Sequence, residues 1–326
     1  MDYAHLGRSG LLVSRIGLGT MNFGDATDEA EAFDVMDRAV ELGVNFFDSA
    51  DVYGGPQTPD MEKGFGTSEE IIGNWLTKSG RRDEIVLATK AYQPMGLGPN
   101  DRRLSAYHLK RACEASLRRL QTDHIDLYQM HHVDRATPWD EIWQAMDQLV
   151  TEGKITYVGS SNFAGWDIAT AQARADARHT LGLVSEQSLY NLTNRAIEQE
   201  LIPSLRYHGV GLIPWSPLAM GVLAGRPKGE QRTVRRAALS EQFAALSDQL
   251  GAYETFCDEL GHSPAEIAQA WLLHQPAVST LIAGSRTVAQ LEAAVDALSI
   301  DLDTDALAAL DRIWPGPGEA PQSYAW

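Results

Sequence analysis

Cysteine is nearly absent: Cys113 and Cys257 are the only two in 326 residues. Both fall in helical patterns. Two thiols make neither a disulfide framework nor a zinc cluster, so no metal is expected and a reducing cytoplasm is the better fit. Positive charge is also short, with 27 Lys and Arg against 44 Asp and Glu, a formal net charge of −17. No basic surplus exists to neutralise phosphates, which argues against nucleic acid as a partner; the excess acid reads as a soluble surface. Long apolar runs are missing too. The longest uncharged stretch, GVGLIPWSPLAMGVLAG at 209–225, is rich in glycine and broken by Pro214 and Pro217, so it does not read as a membrane span. The opening MDYAHLGRSG has an early acid and no apolar core segment, which excludes a secretory signal there. No internal repeat, low-complexity tract or G-x-G-x-x-G fingerprint occurs, and the last absence weakens a doubly wound dinucleotide fold.

What the chain does have is alternation. Apolar residues make up 44%, enough for a large core. Short β-rich runs are expected at Ile16–Leu18, Asn45–Phe47, Ile85–Thr89, Ile125–Met130, Ile155–Gly159, Leu183–Gln187, Val210–Pro214 and Val278–Ala283. Amphipathic helical stretches lie between them. Thr67-Ser68-Glu69-Glu70 reads as a capping box opening a helix with Ile71, Ile72, Trp75 and Leu76 on its inner face. Ser105 reads as the cap of a helix carrying Leu109, Ala112, Cys113, Leu117 and Leu120. Thr27, followed by Asp28 and Glu29, opens a third helix, which Gly43 closes. Eight strands alternating with helices, without a linker, predict an α/β fold: one domain over 1–326, a closed (β/α)8 barrel. The segment YAHLGRSGLLVSRIG has a Gly-containing turn between apolar runs and is expected to form a hairpin plugging the barrel bottom.

In such a barrel, chemistry gathers at the C-terminal ends of the strands. The second strand leads into FDSADVYGG, with Asp48 at its end and Tyr53 in the loop beyond. The third, IVLATK, ends in Lys90, and the fourth, IDLYQMHH, ends in His131 and His132. Taken singly, each has a bland reading: a turn aspartate, a half-buried loop aromatic, a solvated lysine stem, a satisfied polar histidine. Together, a carboxylate, a phenol, an ammonium and an imidazole at three successive exits can protonate a carbonyl as it receives a hydride. Tyrosine ordinarily titrates near pH ~10, and a neighbouring ammonium is expected to lower that value. None of the four can supply the hydride, so a reduced cofactor is required.

FDSADVYG, LATK and DLYQMHHVD, in that order, resemble the motif set of the aldo-keto reductase superfamily. The resemblance extends from LGRSGLLVSRIGLGTMNFG through EGKITYVGSSNF, SEQSLYN and PWSPLAMGVLAG to IAGSRTVAQLEAA, nearly the whole chain. It implies Tyr53 as general acid, with Asp48, Lys90 and His131 completing a tetrad and His132 on the rim. It also implies NADPH as cofactor. Thr20 and Met21 are candidates to bind it, and Ser161, Asn162 and Gln187 match residues that bond the nicotinamide carboxamide. Trp215 matches a ring stacked on the nicotinamide; barrel packing is the alternative role for an aromatic there. Ser216, Leu218, Gly221 and Val222 resemble the loop over the pyrophosphate, where small residues permit close backbone approach. Gly284, Ser285, Arg286 and Gln290 match the adenosine-phosphate end, at a helix start suited to phosphate. Where many relatives carry Glu-Asn after QLE, this chain has Ala293 and Ala294, which removes expected contacts to the adenine.

The implied function is NADPH-dependent reduction of a small aldehyde or ketone. Low-specificity aldehyde reduction is the default; a sugar, terpenoid or polyketide ketone stays open. Specificity is expected from the loops at Met21–Phe23, Tyr92–Asn100 and Arg226–Ala238 and from the tail GPGEAPQSYAW. Phe23, Tyr92, Tyr324 and Trp326 are candidates for the pocket wall. One rival is a regulatory subunit of a membrane channel that keeps nucleotide without turnover, against which the complete tetrad counts. Another is a metal-carboxylate isomerase or Schiff-base aldolase, with Lys90 as nucleophile; Tyr53 and His131 beside it favour carbonyl reduction.

Overall fold

The structure, a computed structural model, describes residues 1–58, 61–225 and 240–325, with side chains described from 243 onward in the last segment. An antiparallel hairpin comes first, β1 (Tyr3–His5) against β2 (Leu12–Ser14). Eight parallel strands follow: β3 (Ile16–Gly19), β4 (Phe46–Asp48), β5 (Val86–Ala91), β6 (Ile125–Met130), β7 (Ile155–Ser161), β8 (Leu183–Leu189), β9 (Gly211–Trp215) and β10 (Leu281–Ala283). The sheet runs β10-β3-β4-β5-β6-β7-β8-β9. Its two ends meet through a bridge between Leu212 and Val278, where the Leu212 and Ser279 amides bond across the gap. This is an α/β barrel of the (β/α)8 kind, nearly closed. The eighth strand is shorter than expected, since Val278 contributes only that isolated bridge.

Side-chain alternation along the strands fixes what faces the axis. An inner apolar layer joins Phe46, Val86, Ala88, Leu127, Val184, Ile213 and Ile282 to Leu6 and Val13 of the hairpin. Both hairpin residues are fully buried, each worth roughly 1.5–3 kcal/mol of apolar burial. The hairpin covers the N-terminal strand ends closely. A Cβ on Gly7 would lie 2.4–2.7 Å from backbone atoms of Val184, Gly209 and Gly211, and its φ of +56° is one that side chains rarely adopt. The expected plug is therefore found. Outward-facing residues of the same strands pack on the helices; Phe47, for example, stacks on Trp75 at 5.6 Å.

The helices named here are α1 (Glu29–Glu41), α2 (Thr67–Ser79), α3 (Ala106–Leu120), α4 (Trp139–Thr151) and α5 (Gly165–Ala177). Ser105 caps α3 as expected, accepting from the His108 amide. Two other caps differ from expectation. Asp28, not Thr27, caps α1, in a reciprocal box with Glu31, while Thr27 is buried. Thr67-Ser68-Glu69-Glu70 forms no capping box: α2 follows Gly66 with no side-chain cap. The reason is packing. Ser68 and Glu69 lie fully buried against the barrel rim, where Ser68 bonds Thr20 and Glu69 bonds Thr89 and Arg119.

Candidate active site

Inward parity brings Asp48, Lys90 and Gln129 into one layer near the C-terminal end, since each follows inner-core residues at spacings of two along its strand. Lys90 Nζ donates to Asp48 Oδ2 at 2.6 Å, to the Ser49 carbonyl at 2.8 Å and to the Tyr53 hydroxyl at 3.3 Å. Asp48 Oδ1 accepts from Gln129 Nε2 at 2.8 Å and from Gln187 Nε2 at 2.9 Å. The Tyr53 and His131 rings meet edge to face at 5.7 Å. His131 stacks on His132 at 5.5 Å, and Tyr92 meets His132 edge-on at 5.3 Å. All four expected tetrad residues thus converge at one mouth.

The electrostatics of this group follow from burial. Desolvation alone would lower the Lys90 ammonium; Asp48 and then Tyr53 overcome it and hold it above its ordinary value. Desolvation raises the Tyr53 phenol, Lys90 pulls it down and Asp48 pushes it up again, with a net rise. The expected lowering by the ammonium is present, but the net shift is upward, because loss of water outweighs one charge that is already shared with a carboxylate. Burial, then the charges at Lys90 and His132, depresses His131 well below the usual imidazole range, so it is neutral near pH 7. Its Nδ1 is buried and has no hydrogen-bond partner among the described residues.

Residues at the remaining exits form a second arc. A register shift of β8 against β7 leaves Val184 in the inner apolar layer and re-aims the strand, so that Ser185 and Gln187 face inward and Glu186 outward. Ser161 Oγ donates to the Gln187 carbonyl. Asn162, at a left-handed φ of 60°, donates from Nδ2 to the His131 carbonyl and accepts from Trp215 Nε1 at 3.2 Å. Trp215 is half-buried at the end of β9. Beyond it, Ser216, Ala219, Met220 and Gly221 all have positive φ, with Gly221 at +105° and open space where its Cβ would stand. Two consecutive non-glycine residues there, Ala219 and Met220, show the kind of backbone strain found where a chain clamps a ligand. Val222 turns into the core, as does Ala294, so neither side chain reaches outward; Leu218 is half-buried and Ala293 exposed. Thr20 is buried and bonded to the Asp48 carbonyl, whereas Met21 is exposed.

After β10, Gly284 accepts at its carbonyl from Asn22, Ser285 is buried, and Arg286 is exposed. Gln290 Oε1 accepts from the Arg286 amide at 2.9 Å. Among the described residues no carboxylate pairs with the Arg286 guanidinium. The expected pocket wall is only partly present. Tyr92 is at the mouth, but Phe23 is completely buried in the apolar core, and Tyr324 is 70% exposed on the short terminal helix Gln322–Ala325. Phe23 is drawn inward because its turn closes on itself, its amide bonding the Thr20 carbonyl and Gly24 bonding Thr27. Trp326 and the loop Arg226–Ala238 lie outside the described residues.

Three participants are given no site role by the sequence reading. Gln129 and Glu186 lie inside quoted motifs, in DLYQMHHVD and SEQSLYN, but only strand parity and the β8 shift reveal what they do. The third is a buried cluster behind the rim, in which Glu69 takes Thr89 Oγ1 at 2.6 Å and Arg119 Nε at 2.7 Å. Asp51 lies in the same cluster, and among the described residues neither of its carboxyl oxygens has a hydrogen-bond partner. Burial, then the charge of Glu69, pushes its carboxyl well above the usual range. Cys113 and Cys257 are buried free thiols, each pushed by burial up to about 12, which leaves them inert.

Barrel, mouth and charged chain together define a class, and sequence comparison agrees: the model of the aldo/keto reductase family matches residues 15–315, and the chain belongs to that family. It is an oxidoreductase of that type, acting on carbonyl or CH–OH groups. It is 49% identical to a protein of Bacillus subtilis (strain 168) named "Uncharacterized oxidoreductase YrpG", over the full length of both chains. It is 34% identical to a "Probable voltage-gated potassium channel subunit beta" of Arabidopsis thaliana, covering 99% of this chain and 100% of that one. A "Versiconal hemiacetal acetate reductase" of Aspergillus parasiticus is 33% identical, with 96% of each chain covered. Among the described residues no helix is long and apolar enough to cross a membrane.

Proposed function

We propose that the chain reduces an aldehyde or ketone to an alcohol with NADPH, and that Tyr53 gives the proton. The observation that carries this reading is the buried run Asp48–Lys90–Tyr53, ending beside a neutral imidazole at a barrel mouth. Tyr53 stays protonated near neutrality and so has a proton to give. As it passes to the carbonyl oxygen, the Lys90 ammonium, 3.3 Å away, stabilises the tyrosinate left behind. Asp48 keeps that ammonium charged and fixed in place, and is itself oriented by Gln129 and Gln187. His131 can give a hydrogen bond to the carbonyl oxygen without gaining a charge. The nicotinamide of bound NADPH supplies the hydride.

The residues present suit that cofactor. Ser161, Asn162 and Gln187 offer carboxamide partners beside Trp215, whose half-buried ring offers a face for stacking. The left-handed run Ala219–Met220–Gly221 offers a backbone cradle. Arg286, with no described carboxylate partner, offers a planar fork for a 2'-phosphate. The likeness to a protein named as a channel subunit supports a second reading, nucleotide binding in a regulatory assembly with little turnover. The decisive experiment is NADPH oxidation over a panel of aldehydes by wild type and Tyr53→Phe. We expect turnover by the wild type and a roughly 10²–10⁴-fold loss in the variant, with NADPH still bound. A variant as active as wild type removes Tyr53 as the acid. An inert wild type that binds NADPH favours the regulatory reading.

A further inference from the structure

Glu186 is a fully buried carboxyl that faces away from the barrel mouth. Its Oε2 accepts a hydrogen bond from Ser160 Oγ at 2.5 Å, and its Oε1 accepts from the Phe163 amide at 3.0 Å and from Ser188 Oγ at 2.7 Å. Burial raises this carboxyl to about 7. A buried carboxyl is costly compared with an apolar residue of the same size. At an outward barrel position such a residue would ordinarily be apolar, as Leu212 and Tyr128 are on their own strands.

The placement explains the choice. Ser160 and Phe163 stand immediately before and after Ser161–Asn162, so one carboxyl grips both ends of that turn. Asn162 between them is held at φ 60°, a left-handed conformation uncommon among non-glycine residues, though asparagine adopts it more readily than most. Its amide nitrogen bonds the Gln187 carbonyl, while its side chain joins the His131 carbonyl, Ser161 Oγ and Trp215 Nε1. The turn therefore links the imidazole-bearing end of β6 to the indole at the end of β9. Without an acceptor at position 186 the Phe163 amide is orphaned and Asn162 is free to relax.

We propose that Glu186 is a positioning residue, which from outside the barrel wall holds the Ser160–Phe163 turn in the shape that sets Asn162 between His131 and Trp215. In this role it touches neither substrate nor cofactor. Its consequence for NADPH rests on the function proposed above; its consequence for the turn does not.

The test uses Glu186→Leu, Glu186→Asp and Glu186→Gln in the full chain. Binding of NADPH and of 2',5'-ADP, which carries the adenosine end alone, is measured by calorimetry, and the ligand-free variants are crystallised. Leucine removes the acceptor and aspartate shortens its reach. Both variants are expected to weaken NADPH at least about tenfold, the scale of a lost hydrogen bond to a charged group, and to leave 2',5'-ADP within about twofold. Aspartate keeps the arm informative if the leucine variant does not fold. Glutamine can still accept from Phe163 and Ser188 while its amide donates to Ser160 Oγ, so it should bind NADPH within about threefold of wild type. In the leucine or aspartate crystal, Asn162 should leave the left-handed region and its contact with Trp215 should open. An unchanged turn overturns the inference. So does equal weakening of both ligands, or a glutamine variant as weak as leucine. A wild type that does not bind NADPH sinks the proposed function, while the crystal arm still decides the role of Glu186.

Discussion

Asp48 and Lys90 form an ion pair closed from water, Oδ2 to Nζ 2.6 Å, with side chains 3% and 0% exposed. Such a pair is poor evidence of net stability, because desolvating two charges offsets their attraction. Breaking it is another matter. Lys90→Met leaves a buried carboxylate with only the two glutamine amides, and about 3–5 kcal/mol of folding stability should be lost. The double variant Lys90→Met/Asp48→Leu should regain much of that, because neither charge is then stranded. Turnover should be absent from both. Chemical denaturation reads the stability, and a double variant no firmer than the single one would contradict this account.

The cofactor end gives a second prediction. NADPH differs from NADH by one 2'-phosphate, and Arg286 is the exposed guanidinium placed just beyond β10. Arg286→Ala should weaken NADPH by about 1.5–3 kcal/mol and leave NADH nearly unchanged. Titration with each nucleotide checks it; equal losses, or a wild type that prefers NADH, count against the assignment.

Asp51 supplies a prediction in pH. Its carboxyl is raised in the folded protein, first by burial and then by Glu69. A raised folded value means that its contribution to stability is intact below the unfolded value, near pH ~4, and is lost as pH climbs through the folded one. Asparagine mimics the neutral form and titrates nowhere. The melting temperature of Asp51→Asn should therefore gain on wild type as pH rises above about 4. A constant gap, or a variant less stable at pH 8, would show that Asp51 is ionised and paired after all.

The barrel was readable because parallel strands, buried on both faces, leave short apolar runs such as IDLYQM between amphipathic helices. Asp48 and Tyr53 were readable because their motif is continuous in the chain. Gln129 was not, since its importance comes from facing Asp48 across a strand boundary. Glu186 was hidden more deeply: a one-residue shift at Val184 decides that it points outward and Gln187 inward. Ser68 and Glu69 misled, because a box pattern at a helix start is also what a polar rim contact requires. Phe23 misled too, since an aromatic near a mouth carries no mark of which way its turn folds.

The hairpin, sealed through Gly7 against Val184, Gly209 and Gly211, also governs traffic. A barrel stoppered at one end has one doorway, so on the proposed reading both reactants enter and leave through it. Gln187 and Trp215, at the C-terminal ends of β8 and β9, would hold the nicotinamide end of the cofactor. Whatever lies deeper must then arrive first and depart last. The chain should accordingly run a compulsory queue, and its rate at saturation should be set by how fast the spent nucleotide withdraws.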